Sequence, residues 1–130
     1  MIEIFERARR RGAKAGVAAL LLGLSSGAAA AAGDAAHGEV LYEGCQDCHS
    51  LDKNDVGPRH RGVFGRKAGS LPDYEYSDAL KQSGIVWDAL SLDKWLTDPQ
   101  GFIPGVKMFY HLDDAKDRAD IIAFLAERAR

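Results

Sequence analysis

The clearest pattern of apolar and polar positions lies near the end of the chain. Ile121, Ile122, Phe124 and Leu125 recur at helical spacing and form one stripe of an amphipathic helix. Asp113 or Asp114 stands at its expected N-cap, and Asp117 falls in its first turn. Arg128 and Arg130 sit near its C-terminus, where positive charge suits the helix dipole. A shorter helix is expected from the cap Asp34 through Tyr42, with Gly38 and Tyr42 one turn apart on one face. Ser77 is placed to cap another, which Gly84 ends. Ser91 is expected to cap a further helix bearing Leu92, Trp95 and Leu96 on one face, with Pro99 stopping it.

Between these elements the pattern breaks down. Residues 50–56 are polar and read as a loop. Gly57-Pro58 opens a turn-rich stretch with Gly62, Gly65 and Gly69, where glycine would let backbone approach a bound group. Residues 100–110 are irregular, punctuated by Gly101, Pro104 and Gly105. No segment alternates with the period of a strand, so the expected fold class is all-α, with about five helices and long connecting loops.

Length and composition alter this picture at the N-terminus. The chain has 130 residues and a formal charge of −2, which suits one small domain. Its hydrophobic content of 46% is inflated by an alanine- and leucine-rich run over residues 13–32. Arg7, Arg9, Arg10, Arg11 and Lys14 precede an apolar centre at residues 17–24, and Ala30-Ala31-Ala32 offers a small-residue cleavage site. Residues 1–32 are therefore expected to be a signal peptide, and residues 33–130 the mature domain. An uncleaved membrane anchor is the competing reading, since residues 15–32 carry no charge. Removing the leader leaves 12 Lys and Arg against 17 Asp and Glu, a formal charge of −5. A domain this small buries a modest core and often needs a staple. No repeat, phosphate loop or basic nucleic-acid patch is present in the sequence.

The candidate staple is written at Cys45-Gln46-Asp47-Cys48-His49. Two cysteines at this spacing followed at once by histidine read as covalent attachment of one c-type haem. Two thiols reach the two vinyl groups of a porphyrin edge, and the adjoining histidine falls under the iron as a ligand. Two other chemistries use paired cysteines. A redox dithiol usually follows a strand in a strand–helix–strand unit, which this sequence lacks. A zinc site needs four ligands; the chain has no further cysteine, and His37, His60 and His111 stand at no finger-like spacing. Attachment of haem to free thiols is an extracytoplasmic reaction in bacteria, so the leader and the motif agree.

With these residues in place, 34–127 resembles a class I cytochrome c of the mitochondrial and bacterial c2 kind. The resemblance rests on Gly57-Pro58, Phe64-Gly65-Arg66-Lys67, Tyr74, Tyr76-Ser77, Gly84-Ile85-Val86-Trp87, Pro99 and Ile103-Pro104-Gly105-Val106-Lys107-Met108. It implies about five helices around one haem, with the first helix crossing the last through Gly38, Tyr42, Ile121 and Phe124. It implies Met108 as the sixth iron ligand. Met1, the other methionine, lies in the expected leader. It further implies that the Pro58 carbonyl accepts from the His49 ring, and that Arg66, Tyr76 and Trp87 donate to the haem propionates. The chain departs from the pattern in carrying Trp95 for a tyrosine, Val106 for a threonine and Arg61 for a histidine, with His60 shifted by one. Gln100 and Gly44 occupy positions that are often basic. His37 and His111 are expected to be exposed, and His60 and His111 are the competing iron ligands.

The function so implied is a periplasmic electron carrier that shuttles single electrons and catalyses no reaction. Its expected partners are a quinol-oxidising complex, a terminal oxidase, or a periplasmic dehydrogenase or reductase, and the carrier is expected to be monomeric. Membrane attachment would follow only from an uncleaved leader. A haem peroxidase or gas-binding sensor is the alternative if the sixth ligand is labile, and a thiol–disulfide protein is a third.

Overall fold

The computed structural model describes residues 32–130. The expected leader, except for Ala32, lies outside the described residues. Five α-helices follow in order: α1 (Ala35–Leu41), α2 (Asp78–Gln82), α3 (Ala89–Thr97), α4 (Pro99–Phe102) and α5 (Ala115–Glu127), with a 3₁₀ turn over Tyr42–Cys45 continuing α1. Extended pairing among the described residues is limited to an isolated antiparallel bridge between Lys67 and Val86. The all-α class expected from the periodicity is the one found. No helix among the described residues is long and apolar enough to cross a membrane.

The fold is organised by α1 crossing α5. A β-carbon on Gly38 would lie 1.9 Å from the Asp120 carbonyl oxygen, so only glycine lets the two backbones meet. One turn on, the buried Tyr42 ring packs on Phe124 with centroids 5.0 Å apart. Ile121, Ile122, Phe124 and Leu125 are all buried, as the stripe predicts. Ala129 is buried completely, and its carbonyl accepts from Gly62 N–H at 2.7 Å. That contact ties the end of the chain to the loop after Pro58.

Caps explain most helix boundaries, and two differ from the sequence reading. Asp34 caps α1 and Asp114 caps α5, each accepting two backbone N–H groups. Ser77 caps α2. The N-cap of α3 is Asp88, not Ser91. The Asp88 carboxylate accepts Ser91 N–H at 2.7 Å, and the Ser91 hydroxyl accepts Asp88 N–H at 2.8 Å. This is a reciprocal capping box with serine at N3, which is why Ser91 alone resembled the cap. Pro99 does follow the end of α3, but it also begins α4, where its missing N–H costs nothing. Asp98 closes one helix and caps the next, accepting Gly101 N–H at 2.9 Å.

The loops hold their shape through a few ties. Gly65 N–H donates to the Trp87 carbonyl at 2.6 Å, and Trp87 N–H to the Arg66 carbonyl at 2.9 Å. Gly62, Gly65 and Gly69 all have φ near +70 to +87°. They were expected to bring backbone to a bound group, but none of them lines the central cavity. Gly69 packs on α2 instead, where a β-carbon would meet Lys81 Cα at 2.8 Å.

One buried charge sits at the α1–α5 crossing. Asp120 is 2% exposed. It accepts Asp34 N–H at 2.7 Å and Lys116 Nζ–H at 2.5 Å, and shares a 2.7 Å hydrogen bond with His37 Nδ1. His37 is exposed, as expected, yet its ring is engaged with Asp120; His111 is exposed as well. The Lys116 ammonium first, then the Asp34 N–H and His37, hold the Asp120 carboxyl well below the usual carboxylate range. A depressed folded value stabilises the fold fully above the ordinary 3.8, and that contribution disappears as pH falls below it. Asp120→Asn should therefore lower the thermal midpoint most at neutral pH, and the gap to wild type should close on acidification. Midpoints measured from pH 7 to pH 2 check this, and a gap that is constant with pH would refute it.

Candidate functional site

The helices and loops enclose a cavity of about 510 Å³. Its wall is largely apolar, built from Val63, Leu80, Leu92, Leu96, Ile121 and Leu125. Such a volume lies within the roughly 300–1,000 Å³ of small-molecule and cofactor sites. The core side chains thus line a space as well as packing on one another.

Cys45, Cys48 and His49 all line this cavity. The 3₁₀ turn brings them there: Cys48 N–H donates to the Cys45 carbonyl at 3.2 Å, and His49 N–H to the same oxygen at 2.9 Å. Neither cysteine forms a disulfide; Cys45 is half-buried and Cys48 exposed. Burial first, then the neighbouring Cys48, pushes the Cys45 thiol up to about 11. A reactive redox dithiol needs the opposite, a thiolate favoured at neutral pH.

His49 is held firmly. Its Nδ1–H donates to the Pro58 carbonyl at 2.7 Å, which leaves Nε2 with a free lone pair. Gly57 backbone lies against the ring, and a β-carbon there would be 2.2 Å from Cε1. Burial lowers the imidazole pKa, opposed by the Pro58 carbonyl and Asp55. The neutral form so favoured is the one that binds metal.

His60 contributes what the sequence reading missed. It is half-buried, and its ring stacks on His49 with centroids 4.0 Å apart and planes 21° apart. Its Nδ1 shares a 3.0 Å hydrogen bond with the buried Tyr42 hydroxyl. Burial, with the His49 and Arg66 charges behind it, keeps His60 neutral well below the ordinary imidazole value. As a competing iron ligand His60 is badly placed, because it shares the wall of His49. A histidine one residue before an arginine carried no signal of burial. The informative clue was Tyr42, a tyrosine on a helix face that must bury its hydroxyl.

The remaining predicted residues also gather at the cavity. Arg66, Tyr76, Trp87 and Met108 line it together with Pro58. Arg66 donates to the carbonyls of Arg59 at 2.9 Å and Arg61 at 3.1 Å. Burial lowers the Arg66 pKa, yet it stays a cation. Tyr76 and Trp87 are buried, and Trp87 meets Trp95 edge-on at 5.2 Å. Met108 is half-buried. Val56, Phe109 and Tyr110 also line the cavity and are exposed.

The donor set fits a haem: an apolar slot, two thiols at its edge, a neutral imidazole fixed by a carbonyl, and a thioether. Comparisons with known proteins agree. The family model for cytochrome c matches residues 35–129. The chain belongs to the cytochrome c family. Cytochrome c2 of Rhodomicrobium vannielii is 49% identical over 105 residues, spanning 78% of this chain and 84% of that protein. Cytochrome c of Arabidopsis thaliana is 45% identical, spanning 75% and 92% respectively. The solved structure of cytochrome cH from Methylobacterium extorquens superposes with a TM-score of 0.70 at 49% identity, covering 72% of this chain and 98% of that one. This cytochrome therefore carries one covalent haem c, and Cys45 and Cys48 fit the attachment motif. It is a monohaem electron-transfer protein that serves redox partners.

The Tyr42–His60 bond should contribute measurably to stability. Tyr42→Phe leaves a partly buried His60 nitrogen without its partner, at a cost of about 1–3 kcal/mol. Guanidinium unfolding of the holoprotein checks this, and a difference within about 0.5 kcal/mol would contradict it.

Proposed function

We propose that Cys45 and Cys48 hold the haem through thioether bonds, that His49 Nε2 and the Met108 sulfur would ligate its iron, and that the protein is a periplasmic single-electron carrier. The observation that carries this reading is the convergence of all these residues on one apolar cavity, with His49 fixed by Pro58. Bound there, haem supplies an iron that gains and loses one electron. The chain's own residues set the terms. Pro58 orients the imidazole and raises its basicity. Arg66, with the Tyr76 hydroxyl and the Trp87 indole N–H, offers donors for two propionates that would otherwise be costly to bury. A thioether at Met108 favours the ferrous state and raises the potential.

With His49 and Met108 both offered to the iron, the chain would leave no ligand position for a substrate, so the protein is read as a carrier and not an enzyme. The high thiol pKa at Cys45 opposes a thiol–disulfide role. Redox partners would approach the cavity at the exposed Cys48; Val56, Phe109 and Tyr110 add exposed apolar surface to the cavity lining. A quinol-oxidising complex, a terminal oxidase, or a periplasmic dehydrogenase or reductase suits that role. Export is supported by the arginine-rich leader and its alanine site.

Met108→Ala tests the reading. The ferric wild type should show the sulfur-to-iron charge-transfer band, and the variant should lose it, bind exogenous ligands and drop in potential. His111→Ala should keep the band. If the wild type lacks the band and His111→Ala alone changes the spectrum, the ligand is His111.

A further inference from the structure

The segment that presents Met108 is poorly tied by its own backbone. Among the described residues, its N–H and C=O groups from 104 to 111 make one backbone bond, from Val106 N–H to the Ile103 carbonyl, at a long 3.4 Å. The next tie is Leu112 N–H to the Leu96 carbonyl at 2.7 Å, beyond the methionine. Gly105 with φ +93° turns the chain within this stretch. A loop so sparsely bonded opens at low cost unless something else holds it.

Side chains do the holding. Lys107 Nζ donates to the Glu75 carbonyl at 2.8 Å on the exposed side. Gln100, on α4, donates from its one amide nitrogen to two loop carbonyls: Val106 at 2.7 Å and Met108 itself at 2.9 Å. Both partners are acceptors, so the NH₂ group must face them, and both its protons are used. Both bonds are partly buried, which shields them from competing water. α4 is in turn fixed by the Asp98 cap and the buried Pro99.

We propose that Gln100 is a positioning residue that clamps the Met108 loop onto α4 and so keeps the sulfur on the iron against competing ligands. The proposal rests on the reading of Met108 as the sixth ligand. Gln100 touches neither the iron nor the thioether; it acts through the backbone of the residue that carries the ligand. An exogenous ligand such as imidazole reaches ferric iron only when this loop swings away. Loss of the clamp therefore appears as tighter imidazole binding.

The test uses the ferric holoprotein, with imidazole titrated against the sulfur-to-iron band. Gln100→Glu keeps the shape but has no N–H to donate, and Gln100→Ala removes the side chain without adding charge. Each should bind imidazole about tenfold more tightly than wild type, as expected for two modest hydrogen bonds lost from the closed state. Gln82→Ala, on the exposed end of α2, should bind as wild type does. Guanidinium unfolding of the same samples separates a local effect from a general one. If both Gln100 variants lose stability but bind imidazole as wild type does, Gln100 only supports the fold and the clamp is refuted. If wild type itself lacks the band, the assignment of Met108 fails, and the clamp fails with it.

Discussion

A central space that the chain cannot fill governs everything else in this protein. The apolar faces of α2, α3 and α5 line about 510 Å³. Kept as a dry void, that volume would cost on the order of ten kcal/mol by the cavity penalty seen in core deletions. Domains of ordinary size have a net stability of about 5–15 kcal/mol. The fold therefore depends on a large apolar group, and covalent attachment ensures that the group stays. The short helices and long loops follow from this, since each element needs to cover only one side of the haem and not a whole protein core.

The two sides of the cavity are built differently. His49 is held by backbone and aromatic contacts: the Pro58 carbonyl, the Gly57 backbone, and His60 anchored through Tyr42 to Phe124 on α5. That wall is continuous with the α1–α5 crossing and shares its rigidity. Met108 stands on a loop whose positioning bonds come from side chains, Gln100 and Lys107. On the proposed ligand assignment, a firm histidine side and a looser methionine side would place any exchange of ligands on the methionine side. Efficient electron transfer needs little rearrangement on either.

Much of this was legible in the sequence because it rests on local patterns. The stripe from Ile121 to Leu125, the caps Asp34, Ser77 and Asp114, and the Cys45–His49 spacing are each set by residues close in the chain. What escaped depends on partners far apart. Asp120 looks like an ordinary helix-surface acid until Asp34, 86 residues away, is folded onto it. His60 looks like a loop residue until Tyr42 and His49 close around it. Ser91 looks like a cap because a capping box contains two plausible caps three residues apart, and the sequence does not say which one is outside the helix. Gln100 stands out in the sequence only for lacking charge, whereas in the fold the hydrogens of its amide bond the carbonyls of Val106 and Met108.

The most direct test of the account is the intact mass of the native protein under denaturing conditions, paired with extraction by acidic acetone. The account predicts one haem that remains with the chain through both treatments and is lost from the Cys45→Ala, Cys48→Ala double variant. Haem that leaves the wild-type chain, or a wild-type mass of polypeptide alone after export with the maturation machinery, would contradict it.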